Sequence, residues 1–280
     1  MEWRGRRGSR NIEDRRASTG AKVGGVGGVG VIAVLLIGYF LGIDVTPLLQ
    51  DQGTQSGAPV ELTQADREAG EFVSVTLADT EEVWAELFRA QLGRTYRPAT
   101  LVLFKGVTQS PCGGASGATG PFYCPADKKA YLDTEFFTVL DRRLGAKGEF
   151  AAAYVVAHEI AHHVQNELGI LGQANQLRQQ VSQAESNAIS VRIELQADCL
   201  SGVWARTAAQ NFGTISRADI QEAVNAARQI GDDTLQKAAG KRPMPHTFTH
   251  GTADQRSRWF VTGFQSGQIA DCDTFSTDAL

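Results

Sequence analysis

The chain has 280 residues, of which 42% are hydrophobic and 21% are charged, and its formal net charge is −4. This length suits one sizeable domain with at most a small appendage, and the apolar content is enough for a core. Residues 1–22 carry seven basic and three acidic side chains, whereas the rest of the chain is net acidic. A nucleic-acid binder would carry its basic surplus in the folded domain, so nucleic acid is not expected as a partner.

An uncharged run of 21 residues, 23–43, follows the basic segment. It is long enough to cross a bilayer core of about 30 Å, and neither a cleavage site nor a lipid-attachment cysteine follows it. The sequence therefore predicts a basic cytoplasmic segment (1–22), a transmembrane signal anchor (23–43), a flexible tether (44–70) and a folded domain (71–280). Because basic flanks stay in the cytoplasm, we expect a single-pass inner-membrane protein whose folded domain is periplasmic, that is, extracytoplasmic.

The folded domain is predicted to be α+β and mainly helical, with a small antiparallel sheet. Segment 173–183 is polar and glutamine-rich, and it fits either a helix or a mobile arm that could overhang the site. Periodicity and capping signals predict the other elements. They are a helix at 77–92 capped by Thr80, a buried strand at 100–104, a hairpin at 121–132, helices at 133–144, 147–168 and 190–210, and helices capped by Ser216 and Thr252.

The motif His158-Glu-Ile-Ala-His162 carries most of the functional information. On a helix the two histidines lie one turn apart on the same face, so both rings can bind one metal ion. Glu159 is rotated by about 100° from His158, which places its carboxylate beside the metal's open position. This arrangement is typical of zinc-dependent hydrolysis. The alternative is a buried helix whose histidines are only hydrogen-bonded in the core.

A third protein ligand is needed, since catalytic zinc usually has three. A third histidine six residues after His162 is missing, because that position is Leu168. Glu194 and Asp198 lie at i and i+4 in a helix-compatible stretch. Glu194 can complete a His-His-Glu site, and Asp198 can orient a liganding histidine through its free ring nitrogen. The alternative is an exposed acidic pair.

Four cysteines fit an oxidising compartment. Cys112 and Cys124 bracket a glycine-rich loop that a disulfide would close, and Cys199 and Cys272 could pair with each other. Four cysteines allow three connectivities, and metal binding by the Cys199 thiolate is a further alternative.

His250 lies just ahead of the capping box at Thr252, a position that suits stabilisation of negative charge. The alternative is a histidine in a surface loop.

The stretches at 158–165, 194–199, 202–204 and 249–256 together resemble the neutral zinc metallopeptidases of bacterial membranes. The resemblance covers about residues 100–264 and the N-terminus. More distantly, the chain is similar to the prenyl-protein endopeptidase and heat-shock membrane protease group. These resemblances imply a zincin-like domain at 71–280 with Glu194 as the third ligand. They also imply that His250 lies near the substrate, where it could stabilise the oxyanion.

The sequence thus predicts a membrane-anchored zinc endopeptidase that acts on a peptide or protein. One Zn²⁺ would be held by His158, His162 and Glu194. Glu159 would be the general base, and Asp198 would accept a hydrogen bond from a liganding histidine. One alternative is a catalytically idle, zinc-stabilised envelope protein that acts in binding or assembly. Another is a zinc hydrolase that acts on something other than peptides. The sequence leaves the substrate and the oligomeric state open.

Overall fold

The computed structural model describes residues 1–17, 61–116, 120–142 and 144–280. The transmembrane segment predicted at 23–43 lies outside these residues. Within the described ranges, every helix is too short or too polar to cross a membrane.

The described residues form an α+β fold that is mainly helical, as the sequence predicts. The elements are β1 (Ile12–Asp14), α1 (Gln64–Leu92), β2 (Thr100–Phe104), β3 (Val107–Ser110), β4 (Gly113–Ser116), β5 (Phe122–Cys124), β6 (Lys129–Asp133), α2 (Phe136–Arg142), α3 (Glu149–Glu167), α4 (Ile170–Arg178), α5 (Gln183–Phe212), α6 (Arg217–Gln229), α7 (Asp232–Ala238), α8 (Ala253–Ser266) and two 3₁₀ turns at Pro245–Thr247 and Ile269–Cys272.

Helix α1 begins well before the predicted start. Thr63 and Asp66 form a capping box, in which each side chain accepts a hydrogen bond from the other residue's backbone N–H. Thr80 is buried in the middle of the helix, and its hydroxyl donates to the carbonyl of Leu77. The predicted tether is therefore wrong for residues 64–70. The first two turns of α1 carry almost no apolar side chains, so hydrophobic periodicity misses them.

The main sheet has the strand order β1-β2-β6-β5. Strands β5 and β6 form the predicted hairpin, but β1 and β6 both run parallel to β2. The prediction of an antiparallel sheet is therefore wrong for this part. Parallel neighbours need a long connection, and the chain between β2 and β6 provides one that contains the separate β3–β4 hairpin.

Residues 1–17, which we call the N-terminal arm, are part of this folded unit. Strand β1 forms one edge of the sheet. Trp3 is only 3% exposed, and its ring packs edge-on against Phe72 of α1 at 5.6 Å between centroids. The sequence predicts residues 1–22 to be a basic cytoplasmic segment apart from the folded domain, whereas the pairing of Ile12–Asp14 with β2 makes the arm part of that domain.

Helix α3 runs through the centre of the helical layer, and all its residues from Phe150 to Gln165 are buried. The helix packs against α1, α5 and α6, and the ring of Phe150 stacks on Trp204 of α5 at 5.9 Å.

Segment 173–183 is helical over most of its length, because α4 packs Leu171 and Ala174 against Ile193 of α5.

Two disulfide bonds join Cys112 to Cys124 and Cys199 to Cys272. The prediction of disulfide bonds is thus confirmed, with one of the three connectivities selected. The second bridge joins α5 to the C-terminal 3₁₀ turn and spans 73 residues of sequence. Because its sulfur is bonded to Cys272, Cys199 does not supply a thiolate for a metal.

Helices α5 and α8 cross at two glycines. A Cβ on Gly263 would overlap the carbonyl oxygen of Cys199, and a Cβ on Gly202 would overlap the carbonyl oxygen of Phe260. The two backbones therefore approach as closely as they do only because both residues lack side chains. This crossing fixes α8 against the helix that carries Glu194 and Asp198.

We expect Gly263→Ala to destabilise the fold by about 1–3 kcal/mol, because the added methyl must push the two backbones apart. At about 2–4 °C per kcal/mol, thermal unfolding should show a drop of several degrees. The matched control is Gly172→Ala in α4, where the new methyl would meet nothing within 4 Å. Alanine there should be neutral or slightly stabilising. Equal Tm values for the two variants would contradict the close crossing.

Candidate metal centre and active site

Two helices bring three metal-binding side chains together. His158 and His162 lie one turn apart on α3, with ring centroids 4.8 Å apart, and Glu194 faces them from α5. Glu194 Oε2 lies 3.0 Å from His158 Nε2, and Glu194 Oε1 lies 3.5 Å from His162 Nε2. One ligand atom from each residue lies within 4.8 Å of the others. The histidine pair and the distant glutamate named from the sequence thus converge.

The separations between Glu194 and the two histidines are close to those expected around a shared metal ion. Nitrogen and oxygen ligands about 2.0–2.1 Å from zinc are about 3.3 Å apart in a tetrahedron. The 3.0 and 3.5 Å distances from Glu194 to the two histidines bracket this value. Two imidazoles and one carboxylate are also a usual ligand set for catalytic zinc, which keeps its fourth position for a water or a substrate.

Asp198 orients His158 from behind. Its Oδ1 lies 2.9 Å from His158 Nδ1, so the ring's other nitrogen is directed at the ligand cluster. Asp198 is fully buried, and Arg256 of α8 donates to both of its oxygens at 2.8 and 3.0 Å. Tyr154 of α3 donates a further hydrogen bond to Oδ1. A carboxylate behind a histidine fixes its tautomer and makes it a better metal ligand.

Gln165 orients His162 in the same manner. The amide NH₂ of this buried residue donates to the carbonyl of Ile193 and to Oε1 of Gln196, at 2.8 and 3.0 Å. Its own Oε1 is therefore left as an acceptor, 2.8 Å from His162 Nδ1. Since Nδ1 must then carry the proton, the lone pair of His162 lies on Nε2, which faces Glu194.

The electrostatic environment favours a cation at the cluster. Burial opposes charge on His158, but Asp198 and Glu194 outweigh it and raise the pKa of the ring to about 10. Burial likewise works to raise the pKa of Glu194, yet the neighbouring His162, His250 and His158 bring it well below its usual range. The partly buried Glu194 thus faces the rings with a negative charge that a divalent ion would balance, while Arg256 pairs with the buried Asp198.

Glu159 follows His158 on α3 and is not one of the three converging metal-binding residues. It is 8% exposed, and its Oε2 is buried without a hydrogen-bond partner among the described residues. Burial raises the pKa of its carboxyl, while the nearby histidines work in the opposite direction. An unpartnered buried carboxylate oxygen is costly, so its presence beside a metal-binding cluster indicates a functional role.

His250 lies near the cluster, just before helix α8. Asp232 accepts hydrogen bonds from the backbone N–H groups of Thr249, His250 and Gly251 at 2.7–2.9 Å. Asp232 Oδ1 also lies 3.3 Å from His250 Nδ1. The ring is about half exposed, and Glu194 and Asp232 raise the pKa of His250. Asp232 thus positions both the backbone of residues 249–251 and the imidazole ring of His250.

His163, the third histidine of the motif region, turns away from the cluster. Its Nε2 lies 2.7 Å from the carbonyl of Arg97, and its Nδ1 lies 3.0 Å from the hydroxyl of Tyr123 on β5. Burial lowers the pKa of His163, which keeps the ring neutral. This residue therefore ties α3 to the sheet, as its position on the helix suggests.

Sequence reasoning missed four residues that support the site: Tyr154, Gln165, Asp232 and Arg256. Tyr154 and Gln165 have a local signal, because they lie four residues before His158 and three after His162 on the same helix. Arg256 and Asp232 have none, since their partners Asp198 and His250 are 58 and 18 residues away.

These features define the class of the site, a candidate metal centre formed by a helical His-Glu-x-x-His motif and a glutamate from a second helix. The chain belongs to the family described as "Putative neutral zinc metallopeptidase", whose model matches residues 1–275. The Escherichia coli K12 relative named "Uncharacterized protein YpfJ" is 45% identical over 291 residues, covering 98% of this chain and 99% of that protein. "Uncharacterized protein Rv2575" of Mycobacterium tuberculosis H37Rv is 40% identical over 260 residues, covering 86% and 85%. No solved structure matches the chain.

We expect Gln165→Ala to weaken zinc binding by about 10–100-fold, because His162 loses the partner that fixes its tautomer and orientation. Competition with a chromogenic chelator measures the dissociation constant directly. Gln176→Ala is the control, since Gln176 is an exposed glutamine on the neighbouring helix α4. An unchanged zinc affinity in the folded Gln165 variant would exclude the assigned role.

Proposed function

We propose that this protein is a zinc-dependent endopeptidase in which His158, His162 and Glu194 hold the metal ion and Glu159 is the general base. The observation that carries the proposal is the buried, unpartnered Oε2 of Glu159 beside three converging ligands. A site that binds zinc for stability alone has no use for such a group. Membership of the metallopeptidase family supports the same reaction.

When bound, zinc lowers the pKa of a coordinated water towards about 7 and polarises a substrate carbonyl. Glu159 accepts the proton of the attacking water and then delivers it to the leaving amide nitrogen. Burial of Glu159 excludes bulk water from this proton transfer. Asp198 and Gln165 hold the two ligand rings in place throughout.

Strand β5 supports peptides as the substrate class. It is the edge of the main sheet on the side opposite the arm, and it pairs only with β6 among the described strands. Tyr123 of β5 contacts α3 through His163, so the edge lies beside the metal helix. Free backbone groups on such an edge can pair with an extended peptide.

His250 is proposed to stabilise the negative charge that develops on the substrate carbonyl oxygen. Asp232 lies beside Nδ1 of the ring, and it and Glu194 raise the pKa of His250 and so favour the protonated ring, in which Nε2 also carries a proton and can donate a hydrogen bond. The half-exposed position of the ring allows contact with a bound substrate.

Membrane attachment through 23–43 and a periplasmic location of the domain stay predictions from the sequence.

We expect Glu159→Gln to retain one zinc ion and to lose peptidase activity by about 10²–10⁴-fold or more, because glutamine cannot accept the proton. The test compares cleavage of a mixed peptide library by wild type and variant, with zinc measured by mass spectrometry. Glu149→Gln is the control, as Glu149 begins the same helix and its side chain is 47% exposed. Zinc bound with no Glu159-dependent cleavage would overturn the proposal and favour the idle, zinc-stabilised protein.

We expect His250→Ala to lower kcat by about 10²–10³-fold with unchanged zinc content, since it removes a donor and no metal ligand. Asp232→Asn should give a smaller loss, because the loop keeps an acceptor but the ring loses its charged partner. Steady-state kinetics on the best peptide of the library measures both. A loss confined to zinc content would reassign His250 to metal binding.

A further inference from the structure

The N-terminal arm is built into the fold through its backbone. Strand β1 pairs with β2 in parallel over Ile12–Asp14, and flanking hydrogen bonds extend the pairing on both sides. The carbonyl of Asn11 accepts from Leu101 N at 2.8 Å, and Arg15 N donates to the carbonyl of Leu103 at 2.8 Å. Ser9 N donates to the carbonyl of Ser74 in α1 at 2.9 Å. The arm therefore completes the sheet and does not merely rest on it.

The arginines of the arm are paired with carboxylates of the domain. Arg6 forms a two-pronged ion pair with Asp79 at 2.7 and 2.8 Å, and Arg7 lies 3.8 Å from Glu82. Burial raises the pKa of Asp79 to about 6 even with Arg6 beside it. If the arm left the domain, this buried carboxylate would lose both hydrogen bonds, and a buried charge without a partner strongly destabilises the fold.

A notch in α1 receives the last arginine of the arm. Arg16 is 6% exposed, and its guanidinium donates to the carbonyl of Asp66 and to the side chain of Asp14. A Cβ on Gly70 would overlap this guanidinium, so α1 carries glycine where Arg16 passes. Burial of the Arg16 guanidinium in a recess opened by Gly70 indicates a stable contact between the arm and α1.

We propose that the N-terminal arm and the metallopeptidase domain lie on the same side of any membrane, so that the apolar run 23–43 is not a single-pass anchor. Residues of one sheet cannot lie on opposite sides of a bilayer. The run could cross once and return only if residues 44–60 crossed as well. That stretch contains Asp44 and Asp51 and has no apolar run long enough to span the bilayer.

The charge pattern that suggested a cytoplasmic N-terminus has another explanation in this fold. Here Arg6 and Arg7 face Asp79 and Glu82, and Arg4 lies 3.6 Å from Glu149. The basic arm and the acidic domain are thus complementary parts of one unit. The family model, which matches residues 1–275, likewise includes the arm.

An engineered disulfide tests the proposal in the full-length protein. A Cβ on Gly8 would lie 3.4 Å from Ser74 Cβ, close to the separation found in disulfides. The double variant Gly8→Cys/Ser74→Cys is expressed in cells, and intact cells and isolated membranes are treated with copper–phenanthroline as oxidant. Peptide mapping should find the 8–74 bridge in most molecules. The control pair Gly5→Cys/Ser74→Cys should give none, because nothing lies within 4 Å of a Cβ on Gly5.

The native 199–272 bridge reports that the domain is folded. Molecules that contain this bridge but lack the 8–74 bridge before solubilisation would therefore overturn the proposal. Labelling of Arg10→Cys and Arg217→Cys with a membrane-impermeant maleimide gives a second readout at two exposed positions. Both should react, or both should be protected, in intact spheroplasts. Opposite protection would place the arm across the membrane. Neither result depends on peptidase activity, so this proposal and the proposed function can fail separately.

Discussion

The buried carboxylate of Asp198 is the interaction on which the site depends. It receives hydrogen bonds from Arg256 of α8 and Tyr154 of α3, and it lies against the ring of His158. A buried charge with one partner removed is strongly destabilising, so these contacts hold three helices in a single arrangement. Glu194 lies one turn before Asp198 on α5, and its distance from the histidines follows from that arrangement.

The close crossing of α5 and α8 complements this ionic contact. Gly202 and Gly263 let the two helix backbones approach, and the Cys199–Cys272 bridge fixes the end of the chain to α5. Helix α5 therefore has little freedom to move away from α3. A rigid frame of this kind keeps ligands at the short separations that zinc requires, and it allows Glu159 to stay buried without a partner.

Much of the site could be predicted because its signals are local. The spacing of His158 and His162 fixes their shared face on any helix, and the same reasoning relates Glu194 to Asp198. The Thr252 capping box and the β5–β6 hairpin are equally local, and both are present. The parallel pairing of β2 with β6 is not local. It depends on how the intervening 24 residues, 105–128, return across the sheet, which composition does not reveal.

The sequence by itself determined which groups the candidate site offers, namely two histidines, the adjacent Glu159 and one acidic pair, Glu194 and Asp198, at helical spacings. Contiguous residues encode such spacings, because a helix repeats every 3.6 residues wherever it lies. Only the tertiary structure decided which partners those groups meet. Arg256 reaches Asp198 across 58 residues, and the arginine-rich arm, which reads as a free basic terminus, becomes a strand paired with β2. Contacts of this range depend on the packing of the whole core, so no short stretch of sequence specifies them.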